Sequence, residues 1–389
     1  MKELNQSSLD SGCLGAEVDG SGLRHFLHEV LQANLEHENQ TGQRPTPLCI
    51  WGTHGLGKTQ IVMDHAREMR WKVAYCAPAQ FEEMGDLHGL PSRGRVGPGD
   101  LVENKTVYLP PEWVPTEPGP GILLLDDLNR ADDRILRGTM QLLQNFEMFS
   151  WALPPHWQII ATANPDTGDY SVTPLDPAML TRLLHVTLIF NQKSWSEWAI
   201  QSGVDSRGID FVLTYPESIT GKRTTPRSLV HFFHQLKSIP NLAGEAERVS
   251  RLAHACLDET TVSSFLAFVQ DGLLKLPSPQ DFLALPSEEE AEKVLRAMAD
   301  GGQGMKRVDL VSTFLARMVL YLKTGDNHEC GRSSKNLAIS LLSSTIPADL
   351  RFGFHRDLSQ VAIQNTKGSR IAKETVAMPE VQKAILQAV

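Results

Sequence analysis

Pro47-Leu48-Cys49-Ile50-Trp51-Gly52-Thr53-His54-Gly55-Leu56-Gly57-Lys58-Thr59 is the stretch that decides the fold. A short apolar run ends in G-x-x-x-x-G-K-[ST], and Gln60-Ile61-Val62-Met63-Asp64-His65-Ala66-Arg67-Glu68-Met69 continues it as a helical pattern. Strand, glycine loop and helix in that order read as a phosphate-binding loop. Gly52, Gly55 and Gly57 allow successive backbone N–H groups to turn inward and form a nest for phosphate oxygens. The helix opening near Lys58 adds the positive end of its dipole. Lys58 is placed for the β- and γ-phosphates, and the Thr59 hydroxyl for Mg²⁺. Residues Gly52, Thr53, His54, Gly55, Leu56, Gly57, Lys58 and Thr59 are therefore the expected nucleotide contacts. Whether the base is adenine or guanine is not legible in them.

Bulk properties narrow the setting. At 389 residues the chain is long enough for two or three units, and its 41% apolar content supports a proper core. A net charge of −9 supplies no positive field for a dedicated nucleic-acid binder. Five scattered cysteines, Cys13, Cys49, Cys76, Cys256 and Cys330, lack C-x-x-C spacing, so neither a disulfide framework nor a zinc site is expected. Without a long apolar stretch or a hydrophobic leader, the expectation is a soluble cytoplasmic protein with no membrane partner.

Outward from the loop, residues 1–22 read as a flexible polar tail. Leu23, Phe26, Leu27, Val30, Leu31 and Leu35 recur at helical spacing. Strands are expected at 71–77, 122–125, 157–163 and 186–190, with a helix at 135–146 and a hairpin around Val107-Tyr108-Leu109 inside a Gly/Pro-punctuated stretch at 78–121. Alternating strands and helices imply an α/β, doubly wound parallel sheet over 23–190. Beyond it the strand signal stops. Helices are expected at 194–202, 208–215, 226–238 and 243–268, making a helical lid over 191–275. An all-helical C-terminal extension follows over 276–389, with Val311, Phe314, Leu315, Met318, Val319 and Leu322 on one face.

Ile122-Leu123-Leu124-Leu125 ends in Asp126-Asp127. Two acids at the end of a strand beside the phosphate loop suit a Mg²⁺-orienting carboxylate followed by a proton acceptor for an attacking water. Read alone, they are equally a solvated pair capping a strand. Gln158-Ile159-Ile160-Ala161-Thr162 delivers Ala163-Asn164-Pro165 into the crevice where open α/β sheets bind ligands. Asn164 there is placed for the γ-phosphate or the water, while an Asx-turn before proline is the plain alternative.

Taken in order, Gly52–Thr59, Asp126-Asp127-Leu128-Asn129-Arg130-Ala131, Ala161-Thr162-Ala163-Asn164-Pro165, Leu175–Leu183 and Thr225-Pro226-Arg227 resemble an AAA+ ATPase of the MoxR-like branch. The resemblance covers roughly residues 45–240. It implies a ring, commonly a hexamer, that hydrolyses ATP with Mg²⁺. The partner it implies is a protein client, for which a von Willebrand A-type domain is one form. By it Lys58 and Thr59 match the Walker A pair, Asp126 the Walker B metal acid, Asp127 the catalytic acid and Asn164 the sensor 1 residue. Arg182 matches the arginine finger that reaches a neighbouring subunit, and Arg227 the sensor 2 arginine. By physics alone each arginine is a surface cation at a helix end. The family usually has Asp-Glu where this chain has Asp126-Asp127, one methylene shorter at the second acid. A chaperone-like remodeller is therefore expected, with a nucleic-acid motor or a slow nucleotide-gated switch as alternatives. The segment Phe81–Leu90 is open to two readings, a pore-facing connection or a lid over the sheet edge. Trp151 and Trp157 read as packing residues, and Lys222-Arg223 beside Arg227 as a small cationic cluster.

Overall fold

The computed structural model describes residues 14–96, 103–166, 171–219, 221–270, 276–300, 307–324, 331–363 and 368–386. The chain divides into two compact units, Met1–Asn191 and Gln192–Val389. The first contains, in order, β1 (Ala16–Val18), α1 (Gly20–Thr41), β2 (Leu48–Trp51), α2 (Lys58–Met69), β3 (Lys72–Cys76), α3 (Met84–His88), β4 (Leu90–Val96) and β5 (Glu103–Leu109). After these come β6 (Gly121–Leu125), α4 (Asp133–Asn145), β7 (Glu147–Met148), β8 (Trp151–Ala152), β9 (Trp157–Ala163), α5 (Pro177–Leu180) and β10 (Leu184–Leu188).

One parallel six-stranded sheet runs in the order β1-β10-β2-β9-β6-β3. Its three central strands, β2, β9 and β6, are buried along their whole length because both faces are covered. Leu48 and Ile50, Ile122 and Leu124, Ile160, Val186 and Leu188 point to one face, where they meet Leu23, Leu27 and Leu31 of α1 and Val62 and Ala66 of α2. Cys49 and Trp51, Leu123 and Leu125, Ile159, Ala161 and Ala163 point to the other, against Ile135, Leu136, Leu142 and Leu143 of α4. Each such leucine or isoleucine contributes about 1.5–3 kcal/mol by leaving water. Gln158, buried in β9, is satisfied by α1: Asn34 donates to its Oε1 at 2.9 Å and its Nε2 donates to Leu31 O at 2.8 Å. Helices on both faces of a parallel sheet make the doubly wound α/β architecture.

Two readings change and one is extended. The tail expected over 1–22 does not extend through 16–22, because Ala16–Val18 pairs with β10 and Asp19 caps α1 by accepting from Gly22 N at 2.8 Å; residues 1–13 lie outside the described residues. The hairpin expected around Val107-Tyr108-Leu109 is present and longer than that, β5 pairing antiparallel with β4 from Leu90↔Leu109 to Val96↔Glu103. Gly94 is needed there, since a Cβ would lie 2.4 Å from Val107 Cγ1. The single helix read at 243–268 is two, described next.

The second unit is helical: α6 (Gln192–Gln201), α7 (Ser206–Thr214), α8 (Pro226–Leu236), α9 (Ala246–Cys256), α10 (Glu259–Gln270), α11 (Pro279–Leu283), α12 (Glu288–Ala299), α13 (Val308–Thr324), α14 (Arg332–Leu342), α15 (Ala348–Ile363), α16 (Ser369–Val376) and α17 (Pro379–Leu386). α9 stops at Leu257, which turns extended. Asp258 then breaks the run: it accepts from Thr224 N at 2.7 Å and Arg223 N at 2.9 Å, and its own N–H donates to Thr224 Oγ1 at 2.9 Å. Phe211, Phe232, Phe233, Phe265 and Phe268 are fully buried, several meeting edge to face, as Phe232 and Phe265 do at 4.9 Å. α13 buries Val311, Phe314, Leu315, Met318, Val319 and Leu322. It is also tied across the boundary drawn at 275, through Arg317 Nε to Asp210 Oδ1 at 3.0 Å and Thr313 to Thr214 at 3.0 Å. Among the described residues no helix is long and apolar enough to cross a membrane.

Candidate nucleotide site

β2, β9 and β6 are adjacent and parallel, with Trp51 opposite Ala163 and Leu125 opposite Ala161. The residues that follow each strand therefore emerge side by side: the glycine loop after β2, Asp126-Asp127 after β6 and Asn164 after β9. Pairing alone gathers groups more than a hundred positions apart in the chain.

The loop has the backbone of an anion nest. Gly52, Gly55 and Gly57 have φ of 150°, 75° and 90°. A side chain at Gly52 would put its Cβ 2.7 Å from Leu188 O, so the strand-to-loop turn excludes any other residue. Gly57 is the N-cap of α2 and offers no side chain to its first N–H groups, leaving the positive helix end available to an anion. Lys58 is buried, and its ammonium donates to Gly52 O at 2.7 Å, Thr53 O at 3.1 Å and Asn164 Oδ1 at 3.1 Å. Three acceptors hold the charge where a phosphate oxygen would meet it.

The acids are held in different ways. Asp126 Oδ1 accepts from Thr59 Oγ1 at 2.6 Å and Thr162 Oγ1 at 2.7 Å, and Oδ2 accepts from Tyr75 OH at 3.0 Å. Asp127 has left-handed φ of 50°, uncommon without glycine, and its N–H donates to Thr162 Oγ1 at 2.8 Å. Its carboxylate accepts from Asn164 Nδ2 at 2.9 Å and lies 3.5 Å from Arg130. Asn164 is locked from behind: its N–H donates to Asn129 Oδ1 at 3.0 Å, and Asn129 Nδ2 returns a bond to Asn164 O at 2.7 Å. Lys58, Thr59, Asp126, Asp127 and Asn164 thus form one hydrogen-bonded cluster, joined through Thr162. The phenol of Tyr75 is pushed up to about 12 by burial and by the Asp126 charge, so it stays a donor. Burial also pushes the Cys49 thiol behind the loop up to about 12, against the opposing pull of Lys58, which leaves it a small inert core residue.

Hydroxyl and carboxylate oxygens are the donor set that Mg²⁺ takes, and it binds one or two carboxylates together with substrate phosphates rather than a full protein cage. Thr59 and Asp126 fit that role. Among the described residues no three His, Cys, Asp or Glu side chains gather into a separate metal site.

The two arginines belong to different units. Arg182, just past α5, donates through Nε to Gln144 Oε1 at 3.0 Å and through its guanidinium to Ala178 O, outside the cluster. Its segment is tied to the loop strand: Trp51 Nε1 donates to His185 Nδ1 at 3.0 Å, and His185 Nε2 donates to Leu180 O at 2.8 Å. An indole can only donate and a carbonyl only accept, which fixes the His185 proton on Nε2. Arg227 opens α8 in the second unit. Tyr75, Asn129, Arg130 and Thr162 have no assigned role in the sequence reading. Three of them lie inside the strings at 126–131 and 161–165, where a hydroxyl and an amide amid apolar residues were the available signal. Tyr75 gave none.

Residues 47–183 match the model of the AAA domain, dynein-related subfamily. No curated protein matches the chain. Among solved structures it resembles a point mutant of Thermotoga maritima RuvB, at 13% identity over 79% of this chain and 90% of that one, with a TM-score of 0.38. Another structure, titled Thermotoga maritima RuvB Holliday junction branch migration motor, aligns at 14% identity over 79% and 90%, with a TM-score of 0.34.

Proposed function

From the AAA domain at residues 47–183 we propose that the chain is a ring-forming ATPase, coupling ATP binding and hydrolysis to the remodelling or activation of a protein partner as MoxR-like proteins do. The observation that carries the nucleotide reading is the hydrogen-bonded cluster of Lys58, Thr59, Asp126, Asp127 and Asn164 beneath a glycine loop with an uncapped helix end. In this reading Lys58 and the loop N–H groups hold the β- and γ-phosphates, and Thr59 and Asp126 hold Mg²⁺. The metal would supply charge neutralisation on the phosphate oxygens. Asp127 takes a proton from the attacking water, and Asn164 orients both the water and Asp127. Arg182 acts on the nucleotide of a neighbouring subunit, and Arg227 acts from the helical lid. The protein-partner assignment draws on the strings at 126–131 and 161–165 and on a net charge of −9, which disfavours a polyanion.

The test is a mixing experiment. Lys58→Ala and Arg182→Ala are each expected to abolish hydrolysis, and their mixture to regain part of it through interfaces that pair an intact loop with an intact arginine. Folded, assembled variants that recover nothing when mixed would remove Arg182 from the neighbour's site. Hydrolysis stimulated strongly by DNA, and lost steeply with salt, would move the partner assignment to nucleic acid.

A further inference from the structure

Asp126 is held by more than the residues of the loop and its neighbouring strand. The sheet's edge strand β3 contributes Tyr75, whose backbone pairs with Leu124 while Cys76 O accepts from Asp126 N at 2.8 Å. From that fixed base the Tyr75 hydroxyl donates to Asp126 Oδ2 at 3.0 Å, on the opposite oxygen from Thr59 and Thr162. Two donors on Oδ1 fix one oxygen and leave the carboxylate plane to swing about it. A third donor on Oδ2 stops that rotation. The side chain that supplies it has only two free torsions and is rigid beyond them, so little entropy is lost in holding the bond. This also accounts for an aromatic ring left 45% exposed on an edge strand.

We propose that Tyr75 is a positioning residue for the magnesium-orienting carboxylate, its hydroxyl setting the rotation of Asp126 and through it the strength with which the site takes Mg²⁺–nucleotide. The proposal rests on the nucleotide reading of the site given above. Water reaches Tyr75 and replaces part of what its hydroxyl gives, so the effect falls below the usual range for a bond to a charged acceptor, at about threefold to tenfold.

The experiment uses the full chain carrying Tyr75→Phe, which keeps the ring and removes the hydroxyl, with Tyr75→Ala as a second variant. Binding of a fluorescent ATP analogue is measured in EDTA and across a Mg²⁺ titration, alongside phosphate release. Affinity in EDTA should match wild type, while the Mg²⁺ concentration for half-maximal binding and hydrolysis rises about threefold to tenfold. A Tyr75→Phe titration that overlays wild type overturns the proposal. So does equal weakening with and without Mg²⁺, which a merely structural role would give. If wild type itself neither binds nor hydrolyses Mg²⁺–ATP, the nucleotide reading fails first and takes the proposal with it. A normal wild type beside an unaffected variant removes Tyr75 alone.

Discussion

Thr162→Val is the most exacting perturbation of the site, because valine fills nearly the same volume and removes only the hydroxyl. Thr162 is fully buried, and its Oγ1 accepts from Asp127 N at 2.8 Å while donating to Asp126 Oδ1 at 2.7 Å. No cavity forms, so the cost is electrostatic. Stranding the Asp127 N–H costs about 1–3 kcal/mol. Losing one donor to a charged acceptor costs less than its usual share, because Thr59 and Tyr75 still serve Asp126. The higher strand propensity of valine gives back a few tenths of a kcal/mol. The sum is about 2–3 kcal/mol, which in a unit of this size lowers Tm by about 4–12 °C. Asp127 also loses the anchor that helps hold its left-handed backbone, so turnover should fall about tenfold or more, the scale of an ångström's misplacement at a reacting group. Thr162→Ser keeps the hydroxyl and gives up one methyl, about 1 kcal/mol, with turnover near wild type. Scanning fluorimetry and phosphate release under saturating Mg²⁺–ATP read both effects. The reasoning fails if the valine variant melts within about 1 °C of wild type, or if serine proves as damaging as valine.

Asp127→Glu should slow hydrolysis about tenfold while leaving ATP affinity in place, since the added methylene pushes the carboxylate past Asn164 Nδ2, now at 2.9 Å; a variant faster than wild type would show instead that the short side chain limits the reaction. Arg44→Met should destabilise the first unit by about 2–3 kcal/mol in urea unfolding, because Glu38, 7% exposed, then loses the guanidinium 3.1 Å away; adding Glu38→Gln should recover much of that loss, and no recovery would exclude the stranded charge as its cause. In the second unit burial pushes the Asp210 carboxyl from 3.8 up to about 6 against the pull of Arg317. Between those values the folded chain keeps a proton the unfolded chain has lost, so this group's contribution falls as pH rises through the window and is flat above it. The Tm of wild type minus that of Asp210→Asn should therefore shrink from about pH 4 to about pH 6 and then level off; a difference that grows with pH contradicts the shift.

What the sequence made legible was whatever a short window encodes. Leu48–Trp51 and Ile122–Leu125 announce buried strands by composition, the glycines announce their loop, and Asp126 and Asn164 declare themselves as polar groups where apolar runs stop. What stayed hidden depends on pairing between distant segments. Ala16–Val18 is three residues long, too short to show alternation, and becomes a strand only because β10 offers an edge. The break at Leu257-Asp258 is made by Thr224 and Arg223, more than thirty positions upstream. Thr162 looks like one more β-branched strand former until β6 and β9 are in register. Tyr75 has no local mark at all, since its meaning comes from β3 lying beside the strand that ends in Asp126.

That same register separates two neighbouring acids that composition cannot tell apart. Asp126 accepts three hydroxyls, one from each of three elements, and each bond removes a freedom the carboxylate would otherwise have. Such a group suits a fixed task, holding a metal's water shell at one orientation. Asp127 has one amide donor and an arginine at 3.5 Å, and its side chain is 37% exposed. The water-activating role proposed for Asp127 suits that looser, more exposed setting. Side-chain length sets how far this carboxylate reaches, and the backbone sets where it points. The backbone of Asp127, held left-handed by Thr162 behind it and by Arg130 N donating to its carbonyl at 2.9 Å, aims the carboxylate before its length matters. Thr162 bonds both acids, so a single hydroxyl sets the rigid one and the looser one relative to each other.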